Sequence, residues 1–265
     1  MLADARYWQL LSLGLLLTFG MTYLGFDQRL EAIPLIIATA LLTQWLGTRA
    51  VGLPRFEPWS ALITSLSLCI LLRASSVEVL MAASAAAIGS KFVIRLNGKH
   101  VFNPANFAIV TAIIATGEAW ISPAQWGSQA WSAFLFISLA GLVLTRAKRA
   151  DIALAFLAAY IGLLLLRALY LGDPLPIPMQ QMQSGAVLLF AFFMISDPKT
   201  TPDRRSHRIL FAGLAAALAF LFQFLLYRPE GIMYALFILS PLVPVLDRLK
   251  PIAAQDRFAW ARPTV

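Results

Sequence analysis

Charge is what this chain has least of: only 13% of its 265 residues are Asp, Glu, Lys or Arg, against 60% hydrophobic, and the mean hydropathy is +0.76. A soluble core of this size needs far more charged faces, so the composition points to a membrane protein with short polar breaks. Cysteine occurs once, at Cys69 inside an apolar run. That excludes an intrachain disulfide and an iron–sulfur cluster ligated by one chain, and leaves Cys69 a packing role. Histidine occurs twice, at His100 and His207, both in expected cytoplasmic loops, which argues against a transmembrane bis-histidine haem. Acidic residues are also few, 13 against 21 Lys and Arg, giving a net charge of +8. The basic residues stand singly or in short clusters between apolar runs, so topology explains them better than nucleic acid does.

What is present is a succession of apolar runs: Trp8–Leu24, Ile33–Leu46, Ala61–Leu72, Val77–Ile94, Ala105–Trp120, Ala130–Leu144, Ile152–Leu171, Gly185–Ile195, Ile209–Tyr227 and Ile232–Val245. The first lacks a small-residue cleavage site and reads as an uncleaved span. If all ten cross, 17 of the 21 basic residues fall on the side of the termini and only Arg29, Arg73, Arg167 and Arg228 fall opposite. By the positive-inside rule both termini are expected in the cytoplasm of a multi-pass inner-membrane protein. Treating the third and eighth runs as re-entrant lowers the split to 13 against 8, so ten crossings are preferred. Those two runs are short. Each follows a proline-bearing approach, Pro54 and Pro58 before Ser60-Ala61, and Pro174, Pro176 and Pro178 before Ser184-Gly185, 124 residues apart. Five spans per half would invert one half relative to the other, the arrangement in which paired short segments flank a midplane site. The expected fold is therefore all-α and polytopic, a single membrane domain of about ten helices in two inverted repeats, near 1–125 and 126–250, with a tail at 251–265.

Two polar breaks carry the chemistry. The first is Lys91 to Asn106, KFVIRLNGKHVFNPAN. Asn103 suits a helix N-cap and Pro104 its first turn, so a helix is predicted to start there with backbone N–H groups pointing outward, a place that attracts anions and electron-rich oxygens. Arg95, Lys99 and His100 add positive charge, and Asn97-Gly98 allows a tight turn that folds this arm back over the helix start. An ordinary capped helix with cytoplasmic anchors explains the same residues. The second break is Ser196-Asp197-Pro198-Lys199-Thr200-Thr201-Pro202. Pro198 should end the preceding helix near Ser196, and Asp197, at the edge of FAFFMIS, needs partners such as Lys199, Thr200 or Thr201; a solvated turn is the plainer alternative.

At these residues the chain resembles the RnfD/NqrB family, membrane subunits of the RNF and sodium-pumping NADH:quinone oxidoreductase complexes. GKHVFNPANFAIV looks like the family's Gly-rich stretch ending in FNPA, and SGAVLLFAFFMISDPKTTP resembles its pattern of small-residue start, aromatic pair and T/S-D-P ending. The resemblance implies inverted five-helix repeats similar to the urea-transporter architecture and electron transport through flavin, in company with other redox subunits. In the family a flavin mononucleotide (FMN) is attached to a threonine of an SGAT-type motif. Here the corresponding connection, GEAWISPAQWGSQAW, has no threonine, and Ser184-Gly185-Ala186-Val187 carries valine in its place. The expected cofactor is thus a noncovalent flavin, riboflavin or FMN. One pole of its site would comprise Arg95, Asn97, Gly98, Lys99, Asn103, Pro104 and Asn106. The other would comprise Ser184, Gly185, Asp197, Pro198 and Thr200. No metal ligand set is evident. A transporter or channel for a small solute or flavin, and a membrane anchor for a soluble redox partner, are the alternatives.

Several single residues have simpler expected roles. The tryptophans and Tyr7, Tyr23, Tyr170 and Tyr227 read as interfacial anchors, Glu78 and Arg73 as a pair, and Arg167 as a snorkelling arginine. Gln44 and Gln223 could join helices. Arg204, Arg205 and Arg208 read as topology signals, with anionic lipid or partner docking second.

Overall fold

The computed structural model describes residues 5–96, 98–122, 149–182 and 184–249. Most of them are helical, because apolar runs without water must satisfy their own backbone groups. The expected sixth run, Ala130–Leu144, and the tail at 251–265 lie outside the described residues. The chain divides into two compact units, one holding the described residues up to 122 and the other those from 149.

The first unit comprises α1 (Ala5–Thr22), α2 (Ala32–Ala50), α3 (Trp59–Leu71), β1 (Leu72–Ala74), α4 (Val77–Val93), a two-residue hairpin of β2 (Arg95–Leu96) and β3 (Lys99–His100), α5 (Pro104–Thr116) and β4 (Ala119–Ile121). Helix α4 packs along α2 and α5. Two small residues set the α2–α4 distance. The ring of Phe92 lies where a Cβ on Gly47 would stand, and Ser84 Oγ donates to the Ile36 carbonyl at 2.8 Å. Helices α3 and α5 are each 13 residues long, about 20 Å at 1.5 Å per residue, well short of a hydrocarbon core of about 30 Å. Each runs into an extended segment. β1 and β4 pair antiparallel, Leu72 opposite Ile121 and Ala74 opposite Ala119, and Ser122 N–H donates to Leu71 at 2.8 Å. Extended backbone beside apolar helices is tolerable only when paired in this way.

The second unit comprises α6 (Ala150–Leu171), α7 (Pro176–Met182), α8 (Gly185–Leu189) with a π-helical turn (Phe190–Met194), α9 (Arg205–Phe220) with a second π turn (Leu221–Leu225), α10 (Gly231–Leu239) and α11 (Leu242–Leu249). Helix α6 and the stretch Arg205–Leu225 are long and apolar enough to cross a membrane, and α10 with α11 would form a third such stretch bent by 46°. The bend falls at Ser240-Pro241, where proline cannot continue the hydrogen-bond ladder. The buried stripe of α6, Ile152, Phe156, Tyr160, Leu164 and Ala168, repeats every four or so residues. Facing it on α9 are Ala212, Ala215, Ala216 and Ala219, all fully buried, so that α9 can approach both α6 and α10 closely. Tyr160 OH donates to Gln223 Oε1, and this is the helix-joining role expected of Gln223.

Candidate functional site

The first motif is built as its residues dictate. Asn103 is the N-cap of α5, with backbone in the β region and its Oδ1 accepting from Asn106 N–H at 3.1 Å; Pro104 occupies the first turn. Phe102 and Phe107, one residue before the cap and four after it, stand with ring centroids 5.5 Å apart. This is a hydrophobic staple, which fixes the angle at which the chain enters the helix. The helix end is less open than predicted. Pro104 has no N–H, Asn103 Oδ1 takes that of Asn106, and the Asn103 carbonyl takes that of Phe107 at 2.8 Å, so the chain largely caps itself. Replacing Asn103 with alanine should therefore cost about 1 kcal/mol in unfolding free energy, and serine should restore most of it. Urea titration in detergent micelles checks this; equal loss in both variants would deny the capping role.

The basic arm folds as a hairpin in front of the cap, Arg95 opposite His100 and Leu96 opposite Lys99, with Gly98 at φ +79°. Asn97 lies outside the described residues. The arm is not uniformly exposed: Arg95 and Gly98 face solvent, Lys99 is half-buried, and His100, Asn103, Pro104 and Asn106 are buried. Lys91 corrects the expected limits of the break. It belongs to the last turn of α4, is fully buried, and donates from Nζ to Ser60 Oγ in the first turn of α3 at 3.1 Å. Sequence reasoning treated it as a loop charge because nothing in one sequence shows that α3 begins beside it.

The second motif behaves as its proline requires. The π turn after α8 ends at Met194, and Ser196 Oγ donates back to the Phe192 carbonyl at 2.6 Å. Asp197 is half-buried and closes the turn locally. Its Oδ1 accepts from Lys199 N–H at 3.0 Å, and its carbonyl accepts from Thr201 Oγ1 at 3.0 Å and Thr200 Oγ1 at 3.5 Å. Pro198 and Thr200 are buried beside it. Ser184 stands at the N-cap position of α8, its carbonyl accepting from Leu188 N–H at 3.1 Å, and Gly185 is buried in the first turn. Val187, fourth in Ser184-Gly185-Ala186-Val187, which resembles SGAT in letters only, is buried in α8. A valine offers no oxygen for a phosphoester, so covalent FMN does not fit this motif.

A charge cluster near the start of α6 and α9 was missed. Arg208 donates from Nε and Nη2 to Asp151 Oδ2 at 2.9 and 2.6 Å and from Nη1 to the Asp203 carbonyl; Asp203 N–H in turn donates to Asp247 Oδ1 on α11 at 2.8 Å. Arg149 is buried alongside. Burial pulls its guanidinium below the ordinary value, the charge of Arg208 acts the same way, and Asp151, Asp203 and Asp197 oppose it. Expectations for single residues are corrected here. Arg208 is a buried structural cation, while Arg204 and Arg205 remain exposed; His207 lies in the first turns of α9 and not in a loop. Arg167 pairs with Asp173, just past the end of α6, at 3.1 Å and lies 4.6 Å over the Phe224 ring. The Glu78–Arg73 pair does not form: Arg73 turns into the end of α3. Asp151 was the available signal, a lone acid beside Arg146, Lys148 and Arg149 at the mouth of an apolar run. Among the described residues no group of three or more His, Cys, Asp or Glu could hold a metal ion.

The profile of the NQR2, RnfD, RnfE family matches residues 122–254, half of the chain. The chain belongs to this family. The matched stretch contains Ser184 to Thr200 but begins beyond Asn103–Asn106, so it is the second motif that the family profile covers. Similar proteins include the D subunit of the ion-translocating oxidoreductase complex of Escherichia coli K12, 31% identical over 153 residues, which is 57% of this chain and 40% of that protein. Its counterpart from Citrobacter koseri is 30% identical over 141 residues, covering 53% of this chain and 38% of its own length. The chain thus matches about two fifths of the length of these curated relatives.

Proposed function

We propose that this chain is an integral membrane subunit of an ion-translocating electron-transport assembly, working with other redox subunits and binding flavin noncovalently. The observation that carries the reading is the family match over the unit that holds the Asp197 motif, on a helical scaffold with membrane-length apolar helices. Two inverted five-helix repeats, ten crossings, lipid around them and both termini on the cytoplasmic side of the inner membrane belong to the same proposal, supported by the 17-of-21 distribution of basic residues.

For a flavin phosphate or ring carbonyl, Lys99 and Arg95 supply positive charge beside the α5 cap, with Gly98 letting the hairpin turn tightly. Asn103, Pro104 and Asn106 would hold the backbone that presents it, and Ser184, Gly185, Asp197, Pro198, Thr200 and the undescribed Asn97 remain proposed contributors. Bound flavin would supply the electron-accepting and electron-donating chemistry; the protein's part is orientation and the local field. Purification from native membranes should give a flavin absorption spectrum, release of free flavin on denaturation, and co-purifying redox subunits. A colourless protein that takes up no added riboflavin or FMN would defeat the reading.

The short apolar helices α3 and α8, each with a serine followed by a small residue at or beside its start, favour a second reading, a transporter or channel for a small solute or flavin. Uptake of labelled riboflavin into proteoliposomes without any redox partner separates it from the first.

A further inference from the structure

Arg73 is the middle residue of β1, two residues past the end of α3, and is 4% exposed. Its Nη1 donates to the carbonyls of Cys69, Ile70 and Leu72 at 3.1, 3.2 and 3.0 Å, the unpaired end of a helix that has stopped short. Gln28, buried on the connection between α1 and α2, reaches two of the same carbonyls from the other side, at 3.0 Å from Cys69 and 3.5 Å from Leu72. One nitrogen of the guanidinium is therefore fixed by backbone. The other two, Nε and Nη2, are shielded from solvent and have no hydrogen-bond partner among the described residues. They are not an arbitrary pair. Nε–H and the adjacent N–H of Nη2 lie parallel on one edge of the planar group, the edge that grips a carboxylate or phosphate through two bonds.

Asp27 sits beside Gln28 on the same connection, and its charge acts on Arg73 without an ion pair forming. It is exposed. A buried cation with its bidentate edge unfilled is costly, and buried donors in native proteins nearly always have a partner. We propose that the Nε–Nη2 edge of Arg73 is a seat for a small oxyanion, a carboxylate or phosphate group admitted past the Asp27 side of the α1–α2 connection. The ligand is held by the fork of one arginine whose orientation α3 fixes, and Asp27 repels it on the way in. The seat is independent of the flavin reading, since none of its residues belongs to either motif.

The full chain in a neutral detergent is titrated with sodium acetate and inorganic phosphate against sodium chloride at matched ionic strength, following the unfolding midpoint. A saturable upward shift is expected with acetate or phosphate and is lost in Arg73→Lys, which keeps the charge and removes the fork. Asp27→Asn, on an exposed position, should tighten the apparent affinity several-fold. If only added phosphatidylglycerol, and neither soluble anion nor phosphatidylcholine, produces the Arg73-dependent shift, the oxyanion is a lipid phosphate and the seat stands. A shift that is absent, or equal in wild type and Arg73→Lys, overturns the proposal. So does an Asp27→Asn protein with unchanged affinity, which keeps the test open even if Arg73→Lys fails to fold.

Discussion

Arg208→Ala should lose about 3–5 kcal/mol of unfolding free energy, the range for removing one partner of a buried ion pair. The side chains of Arg208 and Asp151 are only 10% and 17% exposed, and two guanidinium nitrogens converge on one carboxylate oxygen. Removing the arginine leaves the Asp151 charge in a place with little water and uncaps the Asp203 carbonyl, which leads on to Asp247 and α11. Arg205, also near Asp151 at 4.0 Å, is 78% exposed, where water competes with any pairing it could offer. Pairing Arg208→Met with Asp151→Leu should recover much of the loss, because neither charge is then stranded. A double-mutant cycle by denaturant unfolding in micelles gives the coupling directly. The effect should change little between low and high salt, as buried pairs are poorly screened. A single-variant loss below about 1 kcal/mol would mean that water reaches the pair and that Arg208 is the surface charge its sequence context suggests.

Where one residue acts on its immediate neighbours, the sequence was readable. Asn103-Pro104 specifies a helix start whatever surrounds it, and Asp197-Pro198 specifies a helix stop, so both ends lie where their chemistry places them. The limits of the described apolar runs follow for the same reason, since each run must form its own hydrogen bonds. Three features were not readable. Lys91 and Arg208 carry charges that any loop would carry, and only the packing of α4 on α3 and of α9 on α6 turns them into buried groups with partners 31 and 57 residues away. The run from Ala105 to Trp120 reads as one span, yet Gly117 at φ +66° ends α5 and Ala119–Ile121 becomes the strand that pairs with β1. Hydropathy has no term for that choice. It is decided by the unpaired backbone of Leu72–Ala74, which needs a partner.

Gly231→Ala should be the most damaging single-methyl change in the second unit, with a loss of about 3 kcal/mol, at the upper end for overpacking. A Cβ there would stand 2.8 Å from the Ala219 carbonyl oxygen, 2.9 Å from Phe222 Cβ and 3.0 Å from Gln223 N. Two of these are backbone atoms, which cannot swing aside as a ring or a lysine end can. Helix α10 would have to withdraw from α9, and the atoms it presses on belong to, or adjoin, the π turn Leu221–Leu225 that carries Gln223 to Tyr160. π turns persist only where tertiary contacts hold them, so the substitution should also release the Tyr160 hydroxyl, visible as altered tyrosine fluorescence. Gly213→Ala on α9 is the control: nothing lies within 4 Å of its Cβ, and alanine in a helix interior should stabilise by about 0.5–1 kcal/mol. The same chemical change should therefore have opposite signs at a contact and away from one. Equal effects at both positions would show that helix propensity governs Gly231, and that α9 and α10 do not meet through bare backbone.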